Sequence, residues 1–356
     1  MLARFSRCVV ILSLSASPAF AQSEADTIAP DIGRRVLENY VVPALARFRE
    51  TSGALAVILN EVCAASAGNK GDAVQAGFAD TLSAWAHVSV LRFGPLVAEN
   101  RFERVFFWPD PRGVTLRQVQ GLLASEDPLP DDLADQSVAL QGMPALDYVL
   151  FGTGGEALAD DARRCAYAKA LADNIADVAE ALEGAWAEGT AFRTSFTAPA
   201  ADRDPYRSTA EVAGEVVKAA GTALEFTRNA ELLPALGDSV EKARGKRAPF
   251  WRSGQTFSFA AAQIEGVQKL IAAAGFVDGP SDFVNGYGGS MDFDLSHARD
   301  ALEAVKTKPE AAFSQEEDRG RISYATIAME GAKHTLNGEL SGALGLVMGF
   351  NALDGD

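Results

Sequence analysis

The sequence predicts an all-α protein built from two packed, four-helix-bundle-like domains. Apolar residues recur at three- and four-residue steps through 31–65 and again through 72–93, which is the spacing of a helix with one buried face. The segment 156–188 is long, rich in alanine and follows the same spacing. Runs of alternating apolar and polar residues, which mark half-buried strands, are missing, so we expect little or no sheet.

The predicted elements fall into two halves of similar size. The stretch TAPAADRDP at 197–205 is the best linker, which predicts an N-terminal bundle over 22–196 and a C-terminal bundle over 206–356. Glycines at 284–290 predict a flexible loop. The apolar spacing of the second half predicts helices near 206–229, 257–275, 294–306 and 315–350.

Three local features interrupt the helical pattern of the first half. Pro43 falls inside the first apolar run and should kink or split that helix. Residues 101–113 are aromatic and charged and end in a Pro-rich turn, so we expect a short irregular segment followed by a loop. A short helix is predicted from Thr115 to Ala124, with Thr115 as its N-cap.

The N-terminus has the pattern of a secretory signal peptide from Met1 to Ala21. Two arginines precede the apolar run 9–16, and Ala19 and Ala21 provide the small residues that a signal peptidase accepts. The run is too short to span a bilayer, and no later stretch approaches about 18 uninterrupted apolar residues. We therefore expect an exported, periplasmic protein without a transmembrane helix after processing.

The chain is acidic, with a formal net charge of −16 at pH 7. A field of this sign repels nucleic acid and anionic lipid headgroups, so the composition argues against both as partners. It favours a soluble protein that attracts cations weakly, and solubility alone accounts for most of the acidity.

Two of the three cysteines, Cys63 and Cys165, follow the signal segment. In an oxidising compartment such a pair favours a disulfide, which would link two predicted helices. Two buried, unlinked thiols are the alternative that the sequence leaves open.

Motifs of common enzyme classes are missing. The sequence has no G-x-S-x-G nucleophile turn, no H-E-x-x-H zinc motif, no C-x-x-C pair and no P-loop. Its three histidines are His87, His297 and His334, and Glu330 stands four residues before His334 on a predicted helix. That spacing lets both side chains face one ion, although an exposed pair without a ligand is the simpler interpretation.

The informative segments lie mostly in the middle of the chain. Arg104 precedes the stretch FWPDPRG at 107–113, and the apolar segment GMPALDYVLFG follows at 142–152. Other parts of the same pattern are Trp85, Arg164-Cys165 and Trp251-Arg252-Ser253-Gly254. In these segments and in their order the sequence resembles the imelysin family, which includes imelysin-like peptidases and periplasmic iron-uptake proteins of bacteria.

The signature of that family is G-x-H-x-x-E, whose His and Glu are taken as metal ligands or catalytic groups. In this sequence the glycine is Gly142, Pro144 stands in the place of the histidine, and Asp147 stands in the place of the glutamate. Proline offers no side-chain donor or acceptor, so a metal held here loses its nitrogen ligand. A zinc peptidase needs about three protein ligands, and this motif supplies at most one.

Pro144 and Asp147 also have a structural interpretation. Proline is well tolerated in the first turn of a helix that starts near Met143. Asp147 could then form a buried salt bridge instead of contacting a ligand. The candidate partners for that salt bridge are Arg104, Arg112 and Arg252.

The resemblance implies a non-catalytic binding protein associated with iron acquisition, with a ligand pocket between the two bundles. The expected ligand is iron or another divalent metal, a metal chelate or an organic molecule, and Asp147 is the candidate metal ligand. No residue is assigned a catalytic role. The candidate ligand-binding residues are Arg104, Trp108, Asp110, Arg112, Gly142, Pro144, Asp147 and Arg252.

Two other functions remain open from the sequence. A metallopeptidase, as the family name implies, would need metal ligands from elsewhere, such as His87 or the Glu330/His334 pair. A structural protein of the periplasm would bind a periplasmic or outer-membrane protein partner and no small ligand. Chelator-sensitive proteolysis separates the first of these functions from the second.

Overall fold

The structure is a computed structural model that describes residues 28–64 and 71–346. Within these ranges every regular element is helical and no strand occurs, which confirms the predicted all-α class. The predicted signal peptide lies outside the described residues.

The helices follow the apolar spacing of the sequence, and their apolar stripes are buried. Those of the first half are α1 (Ile32–Val36), α2 (Val42–Ala64), α3 (Gly71–Ser89), α4 (Arg101–Val105), α5 (Val114–Ala124), α6 (Gly142–Phe151), α7 (Ala162–Ala185) and α8 (Ala191–Thr197). Those of the second half are α9 (Thr209–Phe226), α10 (Leu233–Leu236), α11 (Thr256–Ala273), α12 (Asp282–Glu303), α13 (Pro309–Ala312), α14 (Glu316–Thr335) and α15 (Ser341–Ala343).

The long helices pack in two groups that share one hydrophobic core. In the first group α2 contacts both α3 and α7, and α6 packs on α7. In the second group α12 contacts both α11 and α14, and α9 also contacts these two helices. Helix α11 packs against α3 as well, so the buried apolar residues form one continuous cluster through both groups. The domain boundary at 197–205 stays a prediction, and α1 packs across it on α9 and α11.

Two prolines each follow a π-helical turn. The turn Leu37–Val41 runs into α2 just before Pro43, and the turn Thr227–Leu232 runs into α10 just before Pro234. Proline has no N–H to donate to the carbonyl four residues earlier, so the regular helical hydrogen bond is missing at both places. A π-turn, which widens the helix, accommodates this loss. Pro43 therefore interrupts the first helix, as the sequence predicts.

The predicted glycine-rich loop at 284–290 is wrong, because these residues lie inside α12. A Cβ atom on Gly288 would lie 1.8 Å from the carbonyl oxygen of Phe276, so only glycine allows the helix to pack this closely on that segment. This packing outweighs the low helix propensity of glycine. The helix begins at Asp282, where the Ser281 side chain caps it, rather than near 294.

Two further local predictions are also wrong. Residues Arg101–Val105 form helix α4 instead of an irregular segment. At the start of α5 the N-cap position belongs to Gly113, with a left-handed φ of 60°, and not to Thr115. The capping acceptor is Asp110, whose two carboxylate oxygens accept hydrogen bonds from the amides of Val114 and Thr115, both at 2.8 Å.

The predicted disulfide between Cys63 and Cys165 is confirmed. Cys63 lies at the end of α2 and Cys165 lies in the first turn of α7, with their Cα atoms 5.7 Å apart. The bond links two helices that pack against each other and joins residues 102 positions apart in the chain.

We expect the double variant Cys63→Ala/Cys165→Ala to lose roughly 4 kcal/mol of unfolding free energy, because the long loop is no longer constrained in the unfolded chain. Urea unfolding of the oxidised protein, the reduced protein and the variant measures this loss. The reduced protein should resemble the variant. Equal stability of all three forms, or two free thiols in the denatured oxidised protein, would contradict the prediction.

Candidate functional site

The signature segment forms the start of α6, and its glycine has a structural role. Gly142 has a φ of 74°, and a Cβ atom there would lie 2.3 Å from the carbonyl oxygen of Val105. The close approach of α6 to the end of α4 therefore requires glycine. Pro144 follows in the first turn of α6, as predicted, where its missing N–H removes no helical hydrogen bond. One turn later, Asp147 is buried, with 2% of its surface exposed.

Asp147 contacts the segment between α10 and α11. The Ser253 amide donates a hydrogen bond to Oδ1 of Asp147 at 3.2 Å, and Nη1 of Arg252 lies 3.9 Å from Oδ2. Burial raises the pKa of Asp147 to about 6, although hydrogen bonding from Ser253 and the charge of Arg252 act in the opposite direction. The desolvation of this carboxylate therefore outweighs the interactions that stabilise its charge.

Of the three arginines that the sequence suggests as ion-pair partners of Asp147, Arg252 is the one that lies beside it. Arg104 instead donates hydrogen bonds to Oε1 of Gln141 at 3.2 Å and to Oδ1 of Asn174 at 2.9 Å. Arg112 is exposed, and its backbone carbonyl accepts a hydrogen bond from Arg117. Of the three alternatives, Arg252 is therefore the partner of Asp147, because α4 directs Arg104 toward α7 and the loop leaves Arg112 in solvent.

A buried aromatic cluster around Phe106 holds the segment that carries Arg252. The Phe106 ring lies 5.3–6.3 Å, between centroids, from the rings of Phe102, Trp108, Phe226, Phe250 and Phe259. Phe250 has a left-handed φ of 56°, which costs a non-glycine residue about 1–3 kcal/mol. Its carbonyl oxygen accepts hydrogen bonds from the Ser253 hydroxyl at 3.1 Å and the Gln255 amide at 3.0 Å. Backbone strain held in place by packing is common at functional sites.

The indole of Trp108 is fixed by two contacts. Its Nε1 donates a hydrogen bond to the carbonyl oxygen of Ala230 at 2.9 Å, and its ring lies nearly parallel to that of Phe106, at 8°. Pro234 stands four residues after Ala230 and has no N–H, so it cannot donate to this carbonyl. The π-turn before Pro234 thus provides the acceptor that positions Trp108.

A cavity of about 160 Å³ opens beside Asp147, and we call it the Asp147 cavity. The guanidinium of Arg252 lies 4.5 Å from the ring centroid of Trp251 and 5.2 Å from that of Tyr148, and these rings orient it. The candidate residues that line the cavity are Trp108, Asp110, Pro144, Asp147 and Arg252. Those that do not line it are Arg104, Arg112 and Gly142.

Among the lining residues that the sequence-based set lacks, Tyr148, Trp251 and Lys246 carry aromatic or charged groups. Tyr148 and Trp251 are neighbours of Asp147 and Arg252 in the chain, and both stand in segments that carry the family resemblance, which was the available signal. Lys246 lines the rim with its Nζ 5.1 Å from the ring centroid of Trp251. Nothing in its sequence neighbourhood distinguishes Lys246 from an ordinary surface lysine.

The residues around Asp147 do not fit a bare divalent metal ion. Both Asp110 oxygens already accept backbone amides, which leaves Asp147 as the available carboxylate, and Arg252 and Lys246 add positive charge. In the part of the chain that the structure describes, no group of three or more His, Cys, Asp or Glu side chains is arranged to hold a metal. This donor set suits an anion better than a cation.

The other metal candidates have protein partners. His87 Nε2 lies 3.1 Å from a carboxylate oxygen of Glu265, next to a separate cavity on α3. Glu330 forms an ion pair with Arg228 at 3.3 Å. Neither arrangement adds a ligand to Asp147.

The pKa of Asp147 leads to a prediction about stability. Because the folded pKa of about 6 lies above the value of 3.8 for an unperturbed aspartate, the folded state binds the proton more tightly, and the stability contribution of Asp147 falls as pH rises between these values. Asp147→Asn mimics the protonated form. We expect the variant to match the unchanged protein near pH 4 and to be more stable at pH 7.5, by up to about 3 kcal/mol.

Asp318→Asn is the matched control for this measurement. Asp318 is 3% exposed, and although burial alone would raise its pKa, hydrogen bonds from Thr307 and the ion pair with Arg321 lower the pKa overall. The ionised Asp318 therefore stabilises the folded state at neutral pH, and this stabilisation is lost as pH falls. Asp318→Asn should accordingly be less stable than the unchanged protein at pH 7.5. Urea unfolding at several pH values measures both. A stability difference for Asp147→Asn that does not change with pH would contradict the prediction.

Comparisons with known proteins identify the family. Residues 41–336 match the model of the Imelysin family, peptidase M75. An imelysin-like protein from Psychrobacter arcticum 273-4 has a TM-score of 0.73 at 18% identity, with 92% of this chain and 98% of that chain covered. A "putative iron-regulated protein A precursor" from Parabacteroides distasonis ATCC 8503 has a TM-score of 0.72 at 12% identity, with 93% and 98% covered. The comparison with curated proteins finds no match. Because the family model covers most of its length, the chain belongs to the imelysin family.

Proposed function

We propose that this protein is an exported, non-catalytic binding protein associated with iron acquisition, and that its ligand binds in the Asp147 cavity. The observation that carries the proposal is the pair formed by the buried Asp147 and the half-buried Arg252 at a cavity with aromatic walls. A buried carboxylate with a raised pKa lowers stability at neutral pH. A cost of this kind is typical of groups that are retained for binding or catalysis.

The ligand that best matches this cavity is a carboxylate arm of an anionic metal chelate. The cavity, of about 160 Å³, is too small for a whole chelate, but it opens to solvent, so that one arm can enter. Arg252 offers the planar guanidinium that matches a carboxylate, and Lys246 at the rim adds a second positive charge. The rings of Trp108 and Trp251 provide flat apolar walls.

The link to iron rests on the family and on a structural neighbour whose name describes iron regulation. That name belongs to the neighbour, and at 12% identity the likeness shows the fold alone. The side chains of the cavity suit an anion, and an iron chelate of negative charge would still allow a role related to iron. The metal would arrive with its own ligands, and the protein would recognise the negative charge of the chelator.

Export to the periplasm is part of the proposal. The signal-like segment Met1–Ala21 supports it, and so does the Cys63–Cys165 disulfide, because structural disulfides persist in oxidising compartments. None of the described helices has the length and apolar content that crossing a membrane requires.

The metallopeptidase alternative has less support. A catalytic zinc ion needs about three protein ligands and an open position for water. Pro144 provides no donor, and Arg252 directs a positive charge toward the carboxylate of Asp147. Peptide release that stops when a chelator is added would favour this alternative over the binding protein.

We expect the purified mature protein to retain iron after desalting when it is loaded with ferric citrate. It should retain little metal when loaded with ferrous, cupric or zinc salts without a chelator. Arg252→Met removes the guanidinium and keeps an unbranched side chain, so it should weaken ferric citrate binding roughly ten-fold or more. Mass spectrometry of the metals measures retention, and titration calorimetry measures affinity.

Arg299→Met is the matched control. Arg299 is a part-buried arginine whose guanidinium nitrogens also lie 3.8–3.9 Å from carboxylate oxygens, but it does not line the Asp147 cavity. This variant should bind ferric citrate as the unchanged protein does. The proposal is wrong if ferric citrate is not retained, or if both variants lose affinity equally. It is also wrong if an unchelated ion is retained stoichiometrically and Asp147→Ala abolishes that retention.

A further inference from the structure

A second, larger cavity lies beside α9, and we call it the α9 cavity. Its volume is about 570 Å³, and it shares Trp108, Asp110 and Lys246 with the Asp147 cavity before it extends along the end of α9 and the π-turn Thr227–Leu232. Sites that hold organic ligands have volumes of roughly 300–1,000 Å³. The α9 cavity therefore has the size of a small-molecule site, which the Asp147 cavity alone does not.

The walls of the α9 cavity are flat, apolar and rigid. Trp108 is held by its hydrogen bond to Ala230 and by its contact with Phe106, and Phe226 is 6% exposed and packed edge-on against Phe106, at 72°. Three prolines, at positions 109, 111 and 234, complete the apolar lining. Proline and buried aromatic side chains have few conformations to lose, so a planar ligand can bind here at low entropic cost.

The charged groups of the α9 cavity leave an excess of positive charge. Its two carboxylates are engaged, since Asp110 accepts two backbone amides and Glu225 lies 2.8 Å from Nζ of Lys333. Its two cations, Lys246 and Arg247, form no ion pair within the described residues. In a chain of net charge −16, two cations without carboxylate partners at one cavity mark a local preference for an anion.

The π-turn adds a neutral donor at the same cavity. Oδ1 of Asn229 accepts a hydrogen bond from Nη1 of Arg228, so that the amide group of Asn229 keeps its N–H donors for another partner. Single π-helical turns occur frequently at functional sites, where they redirect side chains and carbonyls. Here the turn presents Asn229 and Ala230 to the cavity, while Glu231 on the same turn is buried away from it.

We propose that the α9 cavity is a binding site for a flat, largely apolar organic anion. The aromatic and proline walls bind the body of the molecule, and Lys246, Arg247 and Asn229 bind its carboxylate or sulfonate group. The proposal does not rest on the proposed function of the Asp147 cavity, because Phe226, Asn229 and Arg247 line the α9 cavity alone.

The test uses two fluorescent probes of one shape. 8-Anilinonaphthalene-1-sulfonate is flat, apolar and anionic, and N-phenyl-1-naphthylamine is its uncharged counterpart. We expect both probes to bind the mature protein at one saturable site, with quenching of tryptophan emission through Trp108. Arg247→Glu should weaken binding of the sulfonate roughly ten-fold or more and change binding of the uncharged probe less than about two-fold. Ala230→Leu, which fills part of the cavity, should weaken both.

Lys242→Glu is the matched control for Arg247→Glu. It makes the same change of charge on the same segment, but Lys242 is ion-paired with Asp238 and does not line the cavity. It should leave both affinities unchanged, and thermal unfolding checks that every variant is folded. Unchanged sulfonate binding in Arg247→Glu, or equal losses in Lys242→Glu, overturns the proposal. Arg252 lines the Asp147 cavity and not the α9 cavity, so Arg252→Met should leave sulfonate binding unchanged. A failure of the function proposed for the Asp147 cavity can therefore be distinguished from a failure of the α9 proposal.

Discussion

Burial of the Phe106 ring is the interaction on which both cavities depend. This ring joins residues that are far apart in the sequence, since Phe226 ends α9, Phe250 lies in the segment before α11, and Phe259 lies in α11. Each aromatic pair contributes about 0.5–1.5 kcal/mol beyond the burial of its surface. The same contacts place Trp108, two residues after Phe106, and the segment that carries Ser253 and Arg252. The site is therefore positioned by the core that joins the two groups of helices, and not by loops that adjust independently.

In the segment 142–147, Gly142 and Pro144 meet requirements of the backbone, whereas Asp147 provides a polar group of the cavity. Gly142 is needed because α6 starts against the carbonyls at the end of α4, and Pro144 is tolerated because a helix has no partner for an N–H in its first turn. A proline at this position is therefore compatible with the fold, and its side chain offers no donor or acceptor to a metal. The buried carboxylate of Asp147 lies beside the half-buried guanidinium of Arg252. A guanidinium beside the carboxylate makes this group of side chains better suited to an anion than to a cation.

The sequence predicts those features that depend on local pattern. Helical spacing gives the all-α class, cysteine number and compartment give the Cys63–Cys165 bond, and proline chemistry places Pro144 in a first turn. The sequence does not predict features that depend on contacts between distant segments. Gly288 lies in a helix because α12 packs directly on the backbone at Phe276, and nothing near Gly288 in the sequence encodes that contact. Arg252 rather than Arg104 reaches Asp147 because of the strained turn at Phe250, which the aromatic cluster holds. The domain boundary and the ligand remain predictions, since neither is fixed by these contacts.

The two halves of the chain open cavities by the same local means. Val42-Pro43-Ala44-Leu45 and Leu233-Pro234-Ala235-Leu236 each follow a π-turn, and each turn lines a cavity, of about 350 Å³ in the first half and about 570 Å³ in the second. In both turns an asparagine, Asn39 or Asn229, faces the cavity together with the proline. The physical reason is shared, because a proline leaves the carbonyl four residues earlier without its helical donor and the widened turn exposes it. In the second half this carbonyl belongs to Ala230, and it accepts a hydrogen bond from the indole of Trp108. The hydrogen bond fixes the indole as a wall of the cavity. A π-turn followed by a proline therefore borders a cavity in each half of the chain.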